Sequence, residues 1–225
     1  MKIITPEPIA SVRAAAEIRT AILDGSLPPG ARVRQEELAA KLGVSRAPVR
    51  QALAILEQEG LVHNGVRRRA VIAPIDPALI AEIYEFREVI EAYAAERAAE
   101  TNFDPKPLHE IIVLGRRAVQ AGVVREMIEL DLRFHNQLYR CSGNRVVMEV
   151  MRGQWSHIRR AMLITLTVQE YRTRAWDEHE AILDAIVARR PSRASNLAAA
   201  HARNARAFIT GNLDKLAKRK QDVRL

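Results

Sequence analysis

Two short helical runs parted by a glycine, the second opening with Ser45 and Pro48, lead at once into a pair of short β-forming segments. This order restricts the first third of the chain more than any other feature does. Glu36 to Leu42 reads as a short helix that Gly43 breaks, and Ser45 is placed to cap a third helix by accepting the amide hydrogens of its first turn. Pro48 fits in that turn, where an amide donor is not needed. The third helix turns Val49, Leu53 and Leu56 inward and stops at Gly60. Leu61-Val62-His63 and Ala70-Val71-Ile72 then read as strands around the Asn64-Gly65 turn signal and a basic tip, Arg67-Arg68-Arg69. Upstream, Ile9 to Asp24 carries Val12, Ala16, Ile18, Ile22 and Leu23 at helical spacing before Gly25 ends the run. Helix, turn, helix, hairpin is the order of a winged helix-turn-helix, with three helices and a small β-hairpin, and residues 1–74 are assigned to it.

Pro74-Ile75-Asp76-Pro77 forms a linker in which Asp76 can cap the next helix and Pro77 can take its first position. Beyond it, residues 78–101, 106–121, 123–141, 144–169, 171–190 and 193–219 all carry helical periodicity. Residues 75–225 are therefore expected to form an all-α bundle of six to seven helices, and the whole chain to be mainly α. Composition agrees: 48% of residues are hydrophobic but only 4% aromatic, a balance that favours helices over sheets.

A formal net charge of +8 suits a polyanionic partner, of which nucleic acid is the commonest for a protein without membrane character. No helix pairs a Lys-rich face with Trp or Phe, and no stretch approaches the roughly 20 apolar residues of a membrane span. The single cysteine, Cys141, excludes an intramolecular disulfide framework, and the first residues lack the apolar core of a signal peptide. A cytoplasmic protein with no membrane partner is expected. The candidate DNA contacts are Arg34, Ser45, Arg46, Arg50, Arg67, Arg68 and Arg69. Arg46 and Arg50, four apart, share one face at the start of the third helix, where guanidinium forks can take guanine edges or phosphates.

The stretch from Glu37 to Leu53, ELAAKLGVSRAPVRQAL, followed by Leu56-Glu57 and Glu59-Gly60-Leu61-Val62, closely resembles the DNA-binding domain of GntR-family regulators. The resemblance implies a homodimer on a palindromic double-stranded DNA operator, with Ser45, Arg46 and Arg50 at bases or phosphates and the hairpin in the minor groove. Glu36 stands where relatives carry a basic residue, which removes one contact. Arg69 stands where they place a tip glycine, so Arg67 to Arg69 are expected to act through charge, with Arg68 in the groove.

In the second domain polar residues sit inside apolar stripes. Met127, Leu130, Phe134 and Leu138 mark an inner helix face, and Asp131 and His135, one turn apart, lie beside it. His179 follows Trp176 by three and precedes Leu183 by four; His201 lies midway between Leu197 and Ala205. Burying three imidazoles and a carboxylate costs a few kcal/mol for each unpaired group. A shared divalent ion removes that cost, and a nitrogen and oxygen set without sulfur suits zinc, nickel, manganese or iron better than calcium, zinc first. Asp131-Leu132-Arg133-Phe134-His135, Glu178-His179-Glu180-Ala181-Ile182 and His201 also resemble the metal-binding FCD-type ligand domain of the FadR-like branch of this family. By that resemblance the metal ligands are Asp131, His135, His179 and His201, with one or two positions left open for water or a small carboxylate effector.

Arg87 shares an inner stripe with Ile80, Ile83, Ile90 and Ala94, and a buried guanidinium needs an anion. Glu91, one turn on, is one partner; by resemblance the effector carboxylate is the other. The function expected is a metabolite-responsive, DNA-binding repressor and not an enzyme. A metal-dependent hydrolase is the rival, but the acids nearest the histidines in sequence, Glu178 and Glu180, flank His179 and are expected to point elsewhere. A nonspecific DNA-binding protein is the third reading, and it would need no buried polar cluster.

Overall fold

Alanine rather than valine forms the inner face of the first helix. Helix α1 (Ile9–Leu23) buries Ala14, Ala15, Ile18 and Ile22, while Val12, expected inside, is 54% exposed. Helix α1 packs against α3, and its buried face is turned away from Val12. The structure, a computed structural model, describes residues 9–64, 70–166 and 169–222. The chain divides into two compact units, the first ending at Ile75 and the second beginning at Asp76.

In the first unit α2 (Gln35–Leu42) ends at Gly43, whose φ of 65° is left-handed and whose amide reaches the carbonyls of Ala39 and Ala40. Helix α3 (Arg46–Gln58) buries Val49, Ala52, Leu53 and Leu56. Strands β1 (Val62–Asn64) and β2 (Ala70–Ile72) pair antiparallel, Val62 opposite Ile72. The Arg32 segment adds a single bridge to Val71, with Val33 donating to the Ala70 carbonyl at 2.9 Å. Three helices and a small sheet thus share one core, as a winged helix-turn-helix requires.

The second unit contains α4 (Pro77–Glu100), α5 (Lys106–Ala121), α6 (Val124–Cys141), α7 (Arg145–Arg152), α8 (Trp155–Thr165), α9 (Gln169–Val187) and α10 (Pro191–Asp222). Asp76 caps α4 through a 2.9 Å bond from the Ala78 amide, and Pro77 opens it. The run 144–169, read as one helix, is two: α7 ends at Gly153, and α8 restarts at Trp155. Glycine gives the chain its weakest helical support there, and the break lets the Trp155 indole donate to Asn136 at 3.2 Å. Helix α4 packs against α6, α8, α9 and α10, so these helices surround a shared interior. Among the described residues no helix is long and apolar enough to cross a membrane.

Helix α5 meets α9 where Gly115 lies against Trp176, and a Cβ added at Gly115 would fall 2.2 Å from the indole ring. Alanine in a helix interior normally gains about 0.5–1 kcal/mol over glycine. Here the clash outweighs that gain, because forced overpacking costs about 1–3 kcal/mol. Gly115→Ala is expected to lower the denaturation midpoint, and an unchanged or raised midpoint would show that Trp176 is free to give way.

Candidate metal centre and nucleic-acid interface

Asp131 and His135 on α6, His179 on α9 and His201 on α10 each offer one ligand atom, and these atoms lie within 4.8 Å of one another. His179 Nε2 is 3.2 Å from His201 Nε2 and 3.6 Å from Asp131 Oδ1; His135 Nε2 is 3.8 Å from Asp131 Oδ2. Ligand atoms at about 2.1 Å from one tetrahedral ion stand about 3.4 Å apart. The set therefore fits an ion with small inward shifts. The three histidines are no more than 2% exposed, whereas Asp131 is less enclosed and borders a crevice of about 30 Å³ shared with Met127, Met162, Arg172 and Trp176.

The tautomers follow from the neighbours. His201 Nδ1 donates to Glu178 Oε2 at 2.8 Å, and Asn204 donates to the other oxygen at 2.7 Å, so the neutral His201 ring presents a bare Nε2 to the cluster. Glu178, expected to point elsewhere, is turned onto His201 by the packing of α9 against α10. Glu180 does point away, to Arg116. Among the described residues His179 Nδ1 has no hydrogen-bond partner, and its Nε2 faces the bare nitrogen of His201. Two lone pairs cannot rest at that separation without a proton or a metal ion between them. Burial, followed by His201, His135 and Arg87, holds the His179 imidazole well below its ordinary pKa. Burial also lowers His135, against the upward pull of Glu91. Both rings stay neutral near pH 7, the form that binds metals.

Of the two partners expected for Arg87, Glu91 is the one it touches. Arg87, 1% exposed, sets Nε and Nη2 each 2.7 Å from Glu91 Oε1, and Nη2 also donates to His135 Nε2 at 3.0 Å. Tyr139 OH donates to the same Glu91 oxygen at 2.9 Å. His135 Nδ1 lies 3.1 Å from that oxygen but off the hydrogen-bond direction, and Glu91 Oε2 has no hydrogen-bond partner among the described residues. Burial would push the Glu91 carboxyl up, but the Arg87 guanidinium beside it holds its pKa well below the usual carboxylate range. Ile90, read as an inner residue, is only half-buried while Glu91 is fully enclosed. Tyr139, one turn beyond His135, was legible as a continuation of the same stripe; the inward turn of Glu178 had no local signal.

In the first unit Ser45 is the N-cap of α3 with extended backbone, yet its hydroxyl makes no cap bond. The third helical position is Pro48, which has no amide hydrogen to give, so the hydroxyl stays exposed. Arg46 pairs with Glu36 at 2.9 Å and Arg34 with Glu37 at 2.9 Å, all four side chains more than half exposed. Such surface pairs contribute only about 0–1 kcal/mol, so a phosphate or base edge readily displaces them. Glu36 thus does more than remove a contact, since it holds the first arginine of α3. Arg32, Arg34, Glu36 and Arg46 line a cleft of about 670 Å³ that reaches Ala70; Arg32 was not anticipated. Arg50 is exposed one turn beyond Arg46. Arg67, Arg68 and Arg69 lie outside the described residues.

Comparison with known proteins accounts for both units. Residues 10–72 match the model of the bacterial regulatory proteins of the gntR family, and residues 82–204 match the FCD domain, a domain known for metal binding. An HTH-type transcriptional regulator in an unstable DNA locus of Streptomyces ambofaciens is 32% identical over 76% of this chain and 72% of its own length. The gluconate operon transcriptional repressor of Bacillus subtilis (strain 168) is 29% identical, over 78% and 74%. The crystal structure of a GntR transcriptional regulator from Rhodococcus sp. RHA1 superposes with a TM-score of 0.77 at 26% identity, covering 89% of this chain and 97% of that one. With its helix-turn-helix reader and FCD domain, the chain belongs to the GntR family of bacterial regulatory proteins and is a DNA-binding transcription regulator, not an enzyme.

Proposed function

We propose that this regulator is a metabolite-responsive repressor whose FCD domain holds one divalent ion on Asp131, His135, His179 and His201 and binds a small carboxylate beside it. The observation that carries this reading is the convergence of those four donors in a buried site. Zinc is the first candidate, with nickel, manganese and iron sharing the preference for this donor set. Asp131, the least enclosed ligand, marks the side from which the effector enters. The crevice there has room for about one water molecule, so a carboxylate enters only if its lining side chains move apart. Gluconate, a hydroxycarboxylate, is the first compound to test, because a relative is named for a gluconate operon. Arg87 is the proposed anion clamp, sharing the carboxylate with the ion.

The reader is proposed to act as a homodimer on a palindromic operator, with residues 1–74 contacting DNA and residues 75–225 sensing and dimerising. Arg46 and Arg50 carry base or phosphate contacts, supported by Arg34, Ser45 and Arg67 to Arg69. On an operator selected from randomised duplexes, Arg46→Ala and Arg50→Ala should each cost about 1–3 kcal/mol of specific affinity while the dimer persists. Fluorescence anisotropy measures this, and undiminished binding by both variants would remove them from the interface. Equal wild-type affinity for all duplexes would instead favour a nonspecific DNA coat. The sensor half is tested by elemental analysis of protein purified without chelators, and by thermal shift of metal-loaded protein with gluconate and other small carboxylates. No metal uptake, or no carboxylate that both stabilises the protein and alters operator binding, would defeat it.

A further inference from the structure

The buried arginine beside the histidine cluster occupies an atom that the cluster itself requires. His135 Nε2 is the nitrogen that stands 3.8 Å from Asp131 Oδ2, yet its lone pair accepts a 3.0 Å hydrogen bond from Arg87 Nη2. At the other end of the same guanidinium, contacts crowd onto one oxygen. Glu91 Oε1 is approached by Arg87 Nε, Arg87 Nη2 and Tyr139 OH, while Glu91 Oε2, also buried, has no partner among the described residues. A carboxylate facing a guanidinium ordinarily uses both oxygens in a two-pronged pair. Here both Nε and Nη2 lie 2.7 Å from the single oxygen Oε1, Nη2 also reaches His135, and Oε2 is left bare, an arrangement that is costly in a fully enclosed site.

We infer that Arg87 Nη2 and a divalent ion are alternative partners of the His135 Nε2 lone pair, and that the bare Oε2 of Glu91 is the acceptor that receives Nη2 when the lone pair is taken. The inference rests on the reading of the four-residue cluster as a metal centre. It explains two features together: a cation directed at a metal-ligand nitrogen, and an orphaned acceptor next to that cation. It makes Arg87 a placeholder that satisfies His135 in the metal-free protein and opposes metal uptake. By linkage, any acceptor that draws Nη2 from His135, Glu91 Oε2 included, tightens metal binding.

The test compares wild type with Arg87→Met/Glu91→Gln, which removes the competitor and its counter-charge together and so leaves the net charge of the site unchanged. Cobalt(II) is titrated into metal-stripped full-length protein, with His179→Ala as the control for the site itself. Losing a hydrogen bond to a charged donor corresponds to about tenfold or more in affinity, so the double variant should bind cobalt at least about tenfold tighter. Equal or weaker binding by the double variant overturns the inference, provided wild type takes cobalt and His179→Ala does not. No cobalt uptake by wild type defeats the metal reading instead. Crystal structures of the wild type with and without zinc test the inference without any variant: with zinc, Nη2 should leave His135 Nε2 for Glu91 Oε2. Retention of the Nη2 to His135 Nε2 bond in the zinc-loaded protein overturns it.

Discussion

His179→Ala is expected to lose its metal and its metal-dependent stability in one step. The ring is fully buried on α9, stacked 4.0 Å from Phe134, and contributes the nitrogen nearest to both His201 and Asp131. Two losses combine in the variant. Removing a large buried ring costs about 3 kcal/mol through lost contacts and the cavity left behind, on the scale of other large-to-small core changes. Loss of the ion removes a further stabilisation of about 2.7 kcal/mol when metal is a hundredfold above its dissociation constant. Thermal denaturation separates them. In wild type, metal loading should raise the midpoint; in His179→Ala the loaded and stripped midpoints should coincide, both below that of stripped wild type. One ion per chain in the variant, by elemental analysis, would take His179 out of the ligand set.

Glu91→Ala should destabilise the second unit by about 3–5 kcal/mol, because it strands a guanidinium that is 1% exposed. Tyr139 loses its acceptor at the same time, and Arg87 is left without a counter-charge, beside His135 and the faces of Tyr84 and Trp155, 4.6 and 5.4 Å from its carbon. An exposed pair would behave differently; the loss of a surface partner is worth about 1 kcal/mol at most. Removing both charges in Arg87→Met/Glu91→Gln should recover most of the loss, since neither buried charge is then left alone. Urea denaturation of the two variants decides it. A cost below about 1 kcal/mol for Glu91→Ala would show that solvent reaches Arg87.

Much of this was legible residue by residue. Asp76 and Pro77 mark the start of α4, Gly43 and Gly122 close α2 and α5 in left-handed geometry, and Met127, Leu130, Phe134 and Leu138 all lie inside. These depend on interactions within a few residues, so local chemistry suffices to read them. The errors arose where local signals were balanced. Periodicity continued across Gly153, although the helix breaks there, and the capping reading of Ser45 omitted the donor that Pro48 lacks. In α1 two alanines carry less hydrophobic weight than Val12, yet they are buried and Val12 is exposed.

By itself the sequence determined that the chain would form a winged helix-turn-helix followed by a helical bundle, and that Asp131, His135, His179, His201 and Arg87 would lie on inner faces. Helix periods and caps act over one or two turns, so these features are written in neighbouring residues. Only the tertiary structure decided that the four donors meet within 4.8 Å, that Glu178 turns onto His201, and that Arg87 divides itself between Glu91 and His135. Those contacts join α4, α6, α9 and α10, and Arg87 to His135 alone spans 48 residues. Helical periodicity says which face of each helix points inward. The pairing of faces is settled when the helices pack, because shape and buried charge are then satisfied across all of them at once.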